Sequence, residues 1–198
     1  MCIRDRSYLG RPSEALEAAD ALAGCLGPVP PPAAAWFLHL YYGTAWANDE
    51  PSRAVAHFER ASDHALLGGL PFLAHITDRD AFAAYITQLE PLQAARVAHD
   101  VLAAMWDDRD VLGIRIALAH IVVVCVAMSR CRDAAMIDGW LAADPIALIP
   151  QYQERLGNAR RQIDAQLGVN SVELRSQGAA SNIGAIVQGA LATLASIE

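Results

Sequence analysis

Glu50-Pro51-Ser52-Arg53-Ala54-Val55 is one of four related stretches in this chain. The others are Arg11-Pro12-Ser13-Glu14-Ala15-Leu16, Glu90-Pro91-Leu92-Gln93-Ala94-Ala95 and Arg130-Cys131-Arg132-Asp133-Ala134-Ala135. Their anchoring alanines stand at 15, 54, 94 and 134, in steps of 39, 40 and 40 residues. A fixed period of this size predicts a helical repeat array, in which each unit buries its apolar face against its neighbours. The expected fold is therefore all-α.

Hydrophobic spacing and breakers divide the chain accordingly. Ala15, Leu16, Ala19, Leu22, Ala23 and Leu26 fall at helical spacing, so Pro12 to Leu26 reads as one amphipathic helix. Gly27-Pro28-Val29-Pro30-Pro31-Pro32 is a stiff linker, because consecutive prolines favour an extended backbone. Three helix pairs are expected next: 33–47 with 52–67, 72–89 with 92–106, and 111–129 with 133–143. Asn48 to Pro51, Gly68-Gly69, Pro91 and Asp107 to Asp110 mark the joints, and Asp144-Pro145 ends the array. Along the second helices, Ala54, Phe58 and Ala61 match Ala15, Ala19 and Leu22, then Ala94, Ala98 and Val101. The last copy departs from the pattern, since Asp138 takes the place of Phe58. The tail reads as helices over 150–167, 171–177 and 183–197, with Gly178 to Asn182 a turn and Asn182 the cap of the final helix.

Met1-Cys2-Ile3-Arg4-Asp5-Arg6 fits none of this and resembles an in-frame translation of a sequencing-library adapter. The expected organisation is thus 1–6 as an adapter artefact, 7–144 as the repeat array and 145–198 as a helical cap. On that reading the Pro12 copy is the second half of a repeat whose partner helix is missing.

Composition narrows the functional classes. The formal charge is −7, and all fifteen basic residues are Arg. An acidic chain with scattered Arg disfavours direct nucleic-acid binding, which draws its affinity from clustered positive charge. The four cysteines form no C-x-x-C pair, so a reducing, cytoplasmic setting is expected rather than a disulfide framework. The apolar run from Ile116 to Met128 is shorter than the about 20 residues of a membrane span, and a buried helix is expected there.

Two local features connect this pattern to a known family. Ala54, Phe58 and Ala61, with Tyr42-Gly43 in the preceding helix, resemble the tetratricopeptide repeat. Longer pairs of this kind resemble the carboxy-terminal solenoid of LuxR-type and related signal-transduction ATPases. Trp106-Asp107-Asp108-Arg109-Asp110-Val111-Leu112-Gly113-Ile114 is similar to that family's inter-repeat turn, with Trp106 in place of Gly. Tyr152 to Leu194 is similar to its closing segment, with Arg175 where Trp is usual and Gly184 and Ala185 where acids are usual. The resemblance implies a right-handed α-solenoid of tetratricopeptide-like pairs with a helical cap. It also implies a protein-interaction or ligand-sensing part of a larger bacterial ATP-dependent transcriptional regulator. The phosphate-binding G-x-x-x-x-G-K-[ST] signature is absent from these residues, so no activity comes with the resemblance.

No cofactor, metal or catalytic set is expected. Ser129 and Ser171 lack a nucleophile-elbow setting, and no carboxylate pair stands out. His57 and His64 share a helical face with no third ligand in sequence, which reads as a solvated surface, since a metal site needs three or more converging donors. His75, Asp78, Arg79 and Asp80 read as a polar helix start, and His120 as a core histidine. Gly43 reads as a point of close helix approach. Trp36, His39, Gly43 and Trp46 fall on one face and are most simply core. The same helix is also the place for a partner groove. Its candidate residues are Trp36, His39, Tyr42, Trp46, His75, Arg79 and Arg115. The partner would be a protein, a peptide or a small-molecule inducer, with no membrane involved. A free-standing adaptor using the same groove, and an enzyme with an unrecognised site, are the alternatives.

Overall fold

The computed structural model describes residues 11–47, 49–86, 90–143 and 150–196, without the side chains of 75, 79, 83–85 and 150–152. The expected adapter-like residues 1–6 and the stop at Asp144-Pro145 lie outside these. Ten helices and no strand are found among the described residues: α1 (Pro12–Leu26), α2 (Pro32–Trp46), α3 (Pro51–Leu67), α4 (Pro71–Ile86), α5 (Pro91–Asp107), α6 (Val111–Ala127), α7 (Cys131–Ala143), α8 (Pro150–Leu167), α9 (Asn170–Ala179) and α10 (Ile183–Ala195). The all-α expectation holds, and most helix ends fall within two residues of their sequence-based positions.

The four repeat copies open α1, α3, α5 and α7 in one register. The fourth residue of each helix is the anchoring alanine, and Ala15, Ala54, Ala94 and Ala134 are 0%, 0%, 3% and 0% exposed. Each donates its backbone N–H to the residue before the helix: Arg11, Glu50, Glu90 and Arg130, at 3.2, 3.0, 2.9 and 3.1 Å. Proline at the first position of α1, α3 and α5 forfeits no bond, because that N–H lies outside the helical ladder. A methyl group at the anchor lets a neighbouring helix approach without a void.

The chain forms two compact units, residues 1–88 and 89–198. In the first, α3 packs against both α2 and α4, and α1 covers α2. Trp36, Leu40, Val55 and Phe58 fill the space between them. At Gly43 helix α2 lies close against α3, since a Cβ built there stands 2.6 Å from the Phe58 ring. That agrees with its sequence reading.

In the second unit α6 is the central helix. It is buried around most of its circumference, from Gly113 through Leu118, His120 and Ile121 to Val126. Helices α5, α7, α8 and α10 pack on it. No helix among the described residues is long and apolar enough to cross a membrane. The α6 N-terminus is capped by Asp110, whose carboxylate accepts from the Gly113 N–H at 2.9 Å. A side chain at 113 would displace this cap, because a Cβ there would crowd the Asp110 carboxylate.

The tail folds back onto the unit. Helix α9 lies along α7, and α10 returns to α5, α6 and α7. Gly178, expected in a turn, sits inside α9. A Cβ on it would lie 1.9 Å from the Met136 carbonyl, and one on Gly139 would lie 2.1 Å from the Arg175 carbonyl. The two backbones touch, which is why neither glycine carries a side chain. Asp138, the departure from the repeat pattern, is 1% exposed beside this crossing. It accepts from Arg160 Nε at 2.7 Å and from Arg175 Nε at 2.8 Å. Arg175 also reaches Asp164 at 2.6 Å. The acid at the repeat's apolar position and Arg175 of the tail are thus a matched pair.

Candidate functional site

The densest group of chemically versatile side chains in the first unit lies where α1, α2 and α3 meet. Arg53, His57, Arg60 and His64 stand at i, i+4, i+7 and i+11 on α3, so they form one stripe. His39 and Tyr42, three apart on α2, face that stripe. The Nδ1 atoms of His39 and His57 are 3.0 Å apart, so one imidazole donates and the other accepts. Their ring centroids are 5.3 Å apart with the two nitrogens between them, facing one another. On the other side, His64 stacks nearly parallel to His39 at 5.5 Å. Tyr42 stacks on His57 at 4.9 Å and donates its hydroxyl to Asp20 of α1 at 2.5 Å. Arg53 lies over the Trp46 ring at 4.1 Å and 3.7 Å from Glu50.

This packing sets the protonation states. Burial lowers the His57 pKa to about 4, reinforced by His39, Arg60 and Arg53. Burial, then His64 and Arg60, lower that of His39. Two imidazoles facing each other nitrogen to nitrogen can share one proton but resist holding two. Burial, then the hydrogen bond to Asp20, push the Tyr42 hydroxyl up to about 12. The facing nitrogens also leave no common point for a cation between them. Among the described residues no group of three or more His, Cys, Asp or Glu is arranged to hold a metal. What the arrangement offers is an aromatic, proton-responsive face with donors and acceptors at its rim.

Of the sequence-based candidates, those described in the first unit take different places. Trp36 is 3% exposed and belongs to the core; its indole donates to Thr77 Oγ1 of α4 at 2.8 Å. His39 and Tyr42 are half-buried and do belong to the cluster. Trp46 is half-buried under Arg53. The side chains of His75 and Arg79 lie outside the described residues. Arg115 belongs to the second unit, with its guanidinium 5.4 Å from the Trp140 ring. The solvated-face reading of His57 and His64 is corrected: both are half-buried against α2, because His39 sits between their positions. His120 is a core histidine as expected, 4% exposed. Asp20, which fixes Tyr42, has no signal in sequence, since nothing in α1 marks which residue meets α2.

No protein-family model, curated protein or solved structure matches this chain. Its residues therefore carry the functional reading by themselves. Away from this cluster, Cys125 and Cys131 are buried thiols. Burial holds the Cys125 thiol up near 12, far from a reactive thiolate. Cys131 Sγ donates to Gln166 at 2.8 Å, one more tie between α7 and α8.

Proposed function

We propose that this chain is a tetratricopeptide-like repeat module, a right-handed solenoid of helix pairs closed by its own tail. Its role is to bind a partner or inducer within a larger bacterial ATP-dependent regulator, with no catalysis of its own. One observation carries the repeat reading: four alanines at a 39–40-residue spacing are buried at the same helical position with the same backbone bond. Such identical joints generate extended surfaces for recognition rather than one enclosed reaction centre. The half-buried His39–His57–Tyr42 face is the contact region in the first unit. The regulator context rests on the resemblance of the 106–114 turn and the 152–194 segment.

A free-standing peptide-binding adaptor is the second reading. It is favoured by the exposed apolar turn between α3 and α4, where Leu66, Leu67 and Phe72 are 59%, 78% and 72% exposed. The genomic locus separates the two. An in-frame P-loop ATPase upstream, with a helix-turn-helix region downstream, is expected for the regulator. A start codon a few residues before Ser7 refutes it and leaves the adaptor.

A further inference from the structure

Three helices among the described residues end in the same left-handed turn. Gly69, Arg109 and Ser129 have φ of 69°, 57° and 59°. In each turn the next residue donates back to the fifth residue before it: Leu70 to Ala65, Asp110 to Met105 and Arg130 to Cys125, at 2.8, 3.0 and 2.8 Å. Glycine suits this conformation, whereas a side chain there costs about 1 kcal/mol. Gly69 and Arg109 are also one repeat apart, so the chain uses the inexpensive residue in one copy and an arginine in the next.

The arginine lines a hollow of about 500 Å³, within the size range of small-molecule sites. Trp106, Val111, Ile114 and Ile183 make its apolar walls, and Asp107 and Arg109 its charged ones. The first turn of α10 closes one side; a Cβ on Gly184 would lie 3.6 Å from the Trp106 ring. Neither Arg109 nor Asp107 forms an ion pair among the described residues. In the copy one repeat earlier, Leu66 stands in the place of Trp106 and Gly69 in that of Arg109.

We propose that this hollow binds a small zwitterion with an apolar body, of the amino-acid type. Its carboxylate pairs with Arg109, its ammonium with Asp107, and its side chain lies against Trp106, Ile114 and Ile183. An apolar pocket with one cation and one anion in its lining matches that chemistry, and either charge alone would favour a simple acid or amine. The left-handed backbone at Arg109 carries a guanidinium side chain into the lining, where a glycine would leave Asp107 as the one charged group among these six residues. The site is independent of the repeat-module reading, because it needs only α5, α6 and α10.

L-phenylalanine is a suitable probe, with phenylalaninamide and 3-phenylpropionate as its forms lacking the carboxylate and the ammonium. Binding to the full chain is read by amide chemical shifts around Trp106 and Ile183. L-phenylalanine is expected to bind most tightly, and Arg109→Gly to weaken it about tenfold or more, the worth of one charge-assisted hydrogen bond. Glycine is the residue this turn prefers, so the variant keeps the fold, and unchanged α5 and α6 amides check that. Asp107→Asn is expected to abolish the preference of L-phenylalanine over 3-phenylpropionate. Equal binding of the three compounds, binding unaffected by Arg109→Gly, or no shift near Trp106 with any of them overturns the proposal.

Discussion

Acid should loosen the first unit through His57. Burial, His39 and the guanidinium groups of Arg60 and Arg53 bring its pKa from the ordinary 6.5 to about 4. The folded chain keeps this imidazole neutral, while the unfolded chain takes up a proton below 6.5. The contribution is therefore intact above 6.5 and is lost progressively as the pH falls towards 4. Between about pH 7.5 and about pH 5, a fully shielded imidazole with this shift costs about 2 kcal/mol. His57 is only half-buried, so solvent screening reduces the figure to about 1 kcal/mol. His39 shifts in the same direction and adds to it. The assay is urea unfolding at the two pH values, followed by amide signals of α2 and α3, for the native chain and for His57→Gln. The variant cannot take up the proton, so its stability should fall by about 1 kcal/mol less than that of the native chain. Equal losses would refute the account, as would an NMR titration in which His57 protonates near 6.5.

Other substitutions probe the second unit. Gly178→Ala, read by urea unfolding, should destabilise by about 2 kcal/mol or more, because the methyl group meets the Met136 carbonyl. Gly189→Ala in α10, with nothing within 4 Å, should stabilise by up to about 1 kcal/mol through helix propensity. Asp138→Ala should cost about 3 kcal/mol, since it leaves two guanidinium groups beside an empty buried position. Loss of α8 and α9 amide protection before that of α6 would locate the damage. Ser129→Gly should raise stability by about 1 kcal/mol in thermal unfolding, because its φ of 59° is unstrained for glycine. His120, wholly buried with a pKa lowered to about 4 by burial and then Arg155, should cost about 2 kcal/mol between about pH 7.5 and about pH 5. His120→Met should remove that loss.

The helices were legible because prolines, glycines and a periodic apolar face write their boundaries directly into the chain. The anchoring alanines were legible for the same reason, since each repeats at a fixed distance. What escaped were features whose meaning depends on a partner distant in sequence. Asp138 alone looks like decay of a repeat; its sense appears only beside Arg160 and Arg175, 22 and 37 residues away. Gly178 looks like a turn because glycine commonly is one, whereas here it clears a path for the α7 backbone. His57 and His64 look solvated until His39 of the preceding helix is placed between them. Arg109 and Ser129 hide their left-handed conformation because neither is the residue that usually advertises it.

The paired charges beneath the tail decide what can pack over the fourth repeat copy. An apolar residue at position 138 would welcome any greasy helix, including one from a second molecule. A carboxylate there admits only a segment that arrives carrying cations. Helices α8 and α9 bring two, so the cover of position 138 is selected by charge and not by greasiness alone.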